Sequence, residues 1–223
     1  MAIQINKSTN NKINKIFPIA YLPSVAYLSA FLQADKVWIE SQENYVKQTC
    51  RNRCVVPTAN GILPLCIPIK KGVLHNCPIH QIEIDYGQPW QRTHWRAIET
   101  AYNTSPFFLY YRDYFECFYT KQNIATLFEY NIQLFDLLLK LFGIKKQYTL
   151  TSEYILTYSN ETEDFRQAIH TKQQISNRIT PPYRQVFSDR LGFMSNMSCI
   201  DLLFNEGRMA KNYLLKNKVE NNS

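Results

Sequence analysis

The sequence predicts an α/β fold: a single domain in which a mixed β-sheet with a central β-hairpin is covered by packed helices. Three observations lead there. Short apolar runs bounded by turn residues recur at 17–21, 36–40, 46–57, 62–69 and 79–85, the signature of strands. Asn60-Gly61 stands between two of those runs, and this dipeptide tolerates the positive φ angles of a tight hairpin turn. Residues 90–142 then carry apolar side chains at three- and four-residue spacing, the period of amphipathic helices. At 223 residues the chain has the length of one ordinary domain.

Taken in order, residues 1–15 are polar and rich in Asn and Lys, and read as a flexible tail. Residues 16–34 contain no charge, which invites comparison with a signal sequence or a membrane span. Pro18 and Pro23 interrupt any continuous helix there, and Tyr21, Ser24, Tyr27 and Ser29 place hydroxyls among the apolar groups. The segment therefore reads as a strand at 17–21, a turn at Pro23 and a helix over 24–33. No membrane span and a cytoplasmic location are expected.

The next strand is 36–40, followed by the ribbon 46–57 and 62–69. Residues 79–85 read as a short strand with Glu83 and Asp85 on one face. Helices are expected at 90–103, at 107–119 after Ser105-Pro106, and at 124–142, where Gly143 stops the chain. Residues 148–158 read as extended and 160–174 as partly helical. Ser198-x-x-Asp201 ahead of Leu202-Leu203-Phe204 has the pattern of a helix capping box. One domain over 16–215 results, with a second flexible tail at 216–223; no repeat or long linker divides it.

The most chemically loaded run is 43–54, Glu-Asn-Tyr-Val-Lys-Gln-Thr-Cys-Arg-Asn-Arg-Cys. Read as a strand, it puts Lys47, Thr49, Arg51 and Arg53 on one face and Gln48, Cys50, Asn52 and Cys54 on the other. Three cations on one face repel one another, and an anion relieves that repulsion. Guanidinium groups suit phosphate or carboxylate because their donors are paired in one plane. The competing reading is a solvated basic face with Glu40 and Glu43 as counter-charges. His94 falls beside the buried stripe of its helix, where a packing role competes with proton transfer.

Composition narrows the classes. The net charge of +7 suits acidic partners, but the basic residues are dispersed and no zinc-finger or aromatic–basic RNA motif occurs, so nucleic acid is not the expected partner. Six irregularly spaced cysteines do not form a disulfide framework. His75-Asn76-Cys77-Pro78-Ile79-His80 offers three potential ligands in six residues, yet no second cluster lies near, and no metal site is assigned. No glycine-rich phosphate loop, serine elbow or His-Glu-x-x-His motif is present, so side chains are expected to hold any anion. No cofactor is indicated by these residues.

Several segments together resemble the WbqC-like protein family. They are Ala20-Tyr21-Leu22-Pro23; Ile39-Glu40 with Glu43-Asn44-Tyr45-Val46-Lys47-Gln48-Thr49; Arg51-Asn52-Arg53-Cys54; Trp90 with His94-Trp95; Ala101-Tyr102 with Ser105-Pro106-Phe107-Phe108; and the run from Cys199 to Gly207. Broader members carry Gln-Pro and paired Asp where this chain has Pro18-Ile19 and Ser41-Gln42. The family is named for genes of O-antigen and related surface-polysaccharide clusters, so the resemblance implies a role in bacterial sugar-polymer assembly. The expected ligand is a small anionic molecule such as a nucleotide sugar, with group transfer as the candidate reaction. Glu40, Glu43 and His94 are the candidate acid–base groups. Tyr21, Tyr45, Lys47, Arg51, Asn52, Arg53 and Tyr102 are the candidate binding residues, and Cys54 is a lesser candidate as a thiol nucleophile. A non-catalytic binding or assembly protein of the same pathway is the alternative.

Overall fold

The structure, a computed structural model, describes residues 13–70, 76–120, 123–159, 161–167 and 181–217. Its first unit is β1 (Asn14–Pro18), α1 (Val25–Gln33) and β2 (Lys36–Glu40), with the two strands parallel and paired from Asn14↔Lys36 to Pro18↔Glu40. Ser24 starts α1 because its Oγ accepts the Tyr27 N–H at 3.3 Å, meeting a donor that the first turn leaves unpaired. The uncharged stretch of the sequence is thus accounted for by burial: Ile16, Phe17, Ile19 and Tyr21 are fully enclosed, as are Val25, Leu28 and Phe31. Among the described residues, no helix is long and apolar enough to cross a membrane.

Past β2 the chain forms a hairpin, β3 (Arg53–Thr58) and β4 (Gly61–Cys66). It turns through Ala59-Asn60, and Gly61 closes the turn at φ +108°, a conformation that favours glycine. Two further short strands come much later: β5 (Thr149–Leu150) beside β2 and β6 (Thr162–Asp164) beside β1, both parallel. The α/β class with parallel and antiparallel strands is as expected, but the strands divide between two sheets. One is all parallel in the order β5-β2-β1-β6, and the hairpin stands apart from it.

The helical middle follows its apolar period closely: α2 (Trp90–Tyr102), α3 (Phe108–Thr120) and α4 (Leu127–Leu141). Thr126 caps α4 by accepting the Glu129 N–H, and Gly143 at φ +64° ends it. Three short helices close the chain: α5 (Ser188–Leu191), α6 (Cys199–Glu206) and α7 (Ala210–Lys216). The core is strongly aromatic. Phe17, Phe31 and Phe135 pack around α1, and Tyr102, Phe108 and Phe115 ring Phe204 of α6.

Several expectations are corrected. Residues 46–52 form turns rather than strand, with Gln48 in the left-handed region at φ +58°, so the ribbon begins only at Arg53. Pro78 leads into a 3-10 turn, Ile79–Gln81, instead of a strand over 79–85; only isolated bridges at Glu83 and Ile84 remain. Residues 162–164 of the segment read as partly helical are strand, and 168–174 lie outside the described residues, as does His75. Ser198 sits at the start of α6 without capping it, because its Oγ donates to the Leu22 carbonyl at 3.0 Å. At the amino end the ordered strand reaches into the expected tail: Lys15 is buried in β1 and pairs with Glu163 at 3.2 Å.

Candidate functional site

Glu40 ends β2, Asp164 ends β6, and Thr151 and Arg166 follow just beyond β5 and β6. All four therefore gather past the carboxyl ends of parallel strands. The chain runs from β1 to β2 on one side of β1, while β6 pairs on its other side. Such a reversal leaves a crevice in open α/β sheets, the usual place for a ligand.

Arg166 is 3% exposed and organises this edge. Its Nη1 donates to Glu40 Oε2 at 3.1 Å, and its Nε and Nη2 donate to Asp164 at 3.0 and 2.6 Å. Two backbone carbonyls, Ile155 and Leu156, accept from the same guanidinium at 2.8 and 3.3 Å. The rings of Tyr154 and Tyr158 lie over it, 4.7 and 5.1 Å from centroid to Cζ. Glu40 is fully buried; Thr151 Oγ1 donates to it at 2.6 Å and the Gln42 N–H at 2.8 Å.

A second pair lies beside the first. Arg51, with 0% exposure, holds Glu43 through Nε at 2.7 Å and Nη2 at 2.5 Å, and donates from Nη1 to Thr49 at 3.2 Å. Burial pushes the Glu43 carboxyl up, opposed by Arg51, while the nearby Glu40 pushes it further up. The backbone carbonyl of Arg51 accepts from Asn131 Nδ2, which ties this turn to α4. Taking two charges out of water is tolerable only with such complete hydrogen bonding.

The turn geometry of 46–52 changes what the basic residues can do. Lys47, Arg51 and Arg53 do not share a strand face. Lys47 is exposed, Arg51 is enclosed by Glu43, and Arg53 is half-buried at the start of β3. Arg53 makes no ion pair among the described residues, and its buried Nε has no hydrogen-bond partner. Tyr45 is buried next to Arg51 and Arg53; burial outweighs the two guanidinium groups and pushes its hydroxyl up to about 12. Asn52 Nδ2 reaches the Ile67 carbonyl at 3.0 Å, leaving its Oδ1 buried without a partner.

The remaining predicted residues lie elsewhere. Tyr21 OH meets His94 Nδ1 at 2.9 Å and Tyr119 OH at 2.8 Å, forming a buried chain between α2 and α3. Burial pushes His94 down to about 4, against the Cys66 carbonyl, so the imidazole is neutral at physiological pH. Tyr102 is fully enclosed near Asp201 of α6. Cys54 is buried, and burial holds its thiol well above the ordinary range, so it is no ready thiolate.

Sequence reasoning missed Arg166, Asp164 and Thr151. Each is more than 100 residues from Glu40 or Glu43, and β6 is only three residues long. The one local signal was Asp164-Phe165-Arg166, an acid and a base two apart, which extended backbone places on one side. Among the described residues, no cluster of His, Cys, Asp and Glu could hold a metal ion.

A family model described as the WbqC-like protein family matches residues 19–176, which takes in Glu40, Glu43, Arg51, Arg53 and Arg166. An uncharacterised protein of Mycobacterium tuberculosis, Rv1507c, is 27% identical over 222 residues, covering 87% of this chain and 94% of that protein. No solved structure matches the chain.

Proposed function

This chain belongs to the WbqC-like protein family, and from that premise we propose that it acts in bacterial surface-polysaccharide biosynthesis. Its ligand is a small anionic molecule of the nucleotide-sugar or sugar-phosphate type, and the reaction is group transfer. The observation that carries this reading is Arg53, a half-buried guanidinium with an unpartnered buried Nε, near Tyr45, which also lies near Arg51. A phosphate oxygen would satisfy that donor, with Lys47 contributing charge from the surface. Arg51 and Arg166 position Glu43 and Glu40 and leave anion contact to Arg53. Glu43, whose carboxyl burial pushes up, is the candidate proton acceptor.

The test is a titration of UDP-glucose and UDP against the folded chain, following melting temperature and then product. Saturable stabilisation by UDP-glucose that vanishes in Arg53→Gln is expected. Undiminished stabilisation in that variant, or none from either probe, overturns the assignment of the anion site. A second reading is favoured by the complete hydrogen bonding of both carboxylates, since each oxygen of Glu40 and of Glu43 is engaged. It is a non-catalytic ligand-binding or assembly protein of the same pathway, and stabilisation without turnover is its outcome.

A further inference from the structure

A separate cleft of about 310 Å³ lies where the turn between α2 and α3 faces the segment leading into α5. Thr104, Ser105, Gln185 and Asn205 line it, with Arg184 and Asp189 at its exposed rim. It shares no lining residue with the ion-paired cluster described above.

The polar atoms of its floor are fixed in orientation by their other bonds. Ser105 Oγ donates its proton to the Tyr102 carbonyl at 2.7 Å, so only its lone pairs remain to offer. Asn205 Nδ2 points back along α6, donating to the Asp201 carbonyl at 2.8 Å and the Asp201 carboxylate at 3.4 Å. Its Oδ1 is on the opposite side of the amide. Gln185 Nε2 likewise donates to Asp201 at 2.7 Å, while its Oε1 accepts the Met194 N–H at 2.8 Å. Two floor residues are thus presented as acceptors, with a carboxylate at the rim.

Beneath them lies Asp201, fully buried and bonded by neutral groups: Tyr183 OH at 2.5 Å, Gln185 and Asn205. The titratable groups around it are the hydroxyls of Tyr102 and Tyr183. It forms no ion pair among the described residues, unlike Glu40 and Glu43. A negative charge enclosed without a cation gives the cleft above it a potential that attracts positive groups. Burial raises the Asp201 carboxyl to about 6, against the donors from Tyr183 and Gln185, so it is ionised at neutral pH and neutral in mild acid.

We propose that this cleft binds a primary ammonium group, seated on Ser105 Oγ and Asn205 Oδ1 and drawn by Asp189 and the buried Asp201. Arg184 at the rim then meets any acidic group on the same ligand. Two sources share this chemistry: a free amino acid and an amino sugar.

Isothermal titration of the full chain at pH 7.0 tests it with ethanolamine, glycine and glucosamine, against ethylene glycol and N-acetylglucosamine, which lack an ammonium. Saturable heats are expected from one or more of the ammonium probes and none from the other two. Ser105→Ala and the surface change Asp189→Asn should each weaken binding about fivefold or more. Affinity should fall about tenfold at pH 5.0, and D201N should bind weakly and equally at both pH values. Glycine binding more tightly than ethanolamine, with the difference lost in R184A, points to an amino acid; preference for glucosamine points to an amino sugar. Silence from all three ammonium probes overturns the proposal, and so does binding unchanged in both Ser105→Ala and Asp189→Asn. The Arg53 experiment reads a different site, so either result can fail alone.

Discussion

Among the described residues, carboxylates are enclosed in two places and stabilised in opposite ways. Past the ends of the parallel strands, Glu40 and Glu43 face guanidinium groups at 3.1 and 2.5 Å. On α6, Asp201 is surrounded by hydroxyl and amide donors, with no cation paired to it among the described residues. The first arrangement is rigid and specific: remove one partner and a bare charge stays behind. The second leaves a charge that the fold tolerates without cancelling, and that burial alone brings near neutrality in mild acid.

The largest effect should come from splitting an enclosed pair. Arg51→Met leaves Glu43 buried and alone, and should cost about 3–5 kcal/mol in urea unfolding. The double variant Arg51→Met, Glu43→Leu should recover most of that loss. If the single change is mild, the pair is not the rigid partnership described here.

The next effect is pH-dependent and belongs to Asp201. Its folded-state pKa, about 6, lies above the ordinary carboxylate value, so the native state holds the proton longer than the unfolded chain. Stability from this group is full below about 4 and is lost as pH rises through about 6. D201N cannot lose a proton. Compared with wild type at pH 4 and again at pH 7, the variant should gain roughly 2–3 kcal/mol, from a shift of about two units. A constant difference across that range would remove the distinction between the two regions.

Smaller still is the contribution of the rings over Arg166. Replacing Tyr154 and Tyr158 together by Leu should cost about 1–2 kcal/mol, from two part-exposed cation–π contacts. Lys70→Ala breaks the exposed pair with Glu83 and should leave the melting temperature unchanged within error, since solvent screens both groups.

Periodicity made α1, β2 and the three middle helices legible, because their apolar side chains repeat at the spacing that burial demands. The run 43–54 was legible as chemistry but not as shape. Alternation predicts a basic face, whereas a positive φ at Gln48 breaks the strand and turns Arg51 inward onto Glu43. Nothing local reports that turn, since glutamine is not the residue such angles favour. β6 and Arg166 were illegible for another reason: three residues of strand carry too little pattern, and their partners are distant in the chain. Asp201 looked like a helix cap by position, and only Tyr183 and Gln185 reveal that its carboxylate faces inward.

The segment between Thr151 and Tyr158 lies largely on the exterior, with Leu156 79% in solvent. Yet its carbonyls at Ile155 and Leu156 are fastened from underneath by the guanidinium that also grips Glu40 and Asp164. A single backbone cut beyond Leu156 would therefore leave both fragments riveted together. The nicked molecule should travel as one particle in a native gel and separate only once denaturant reaches the interior.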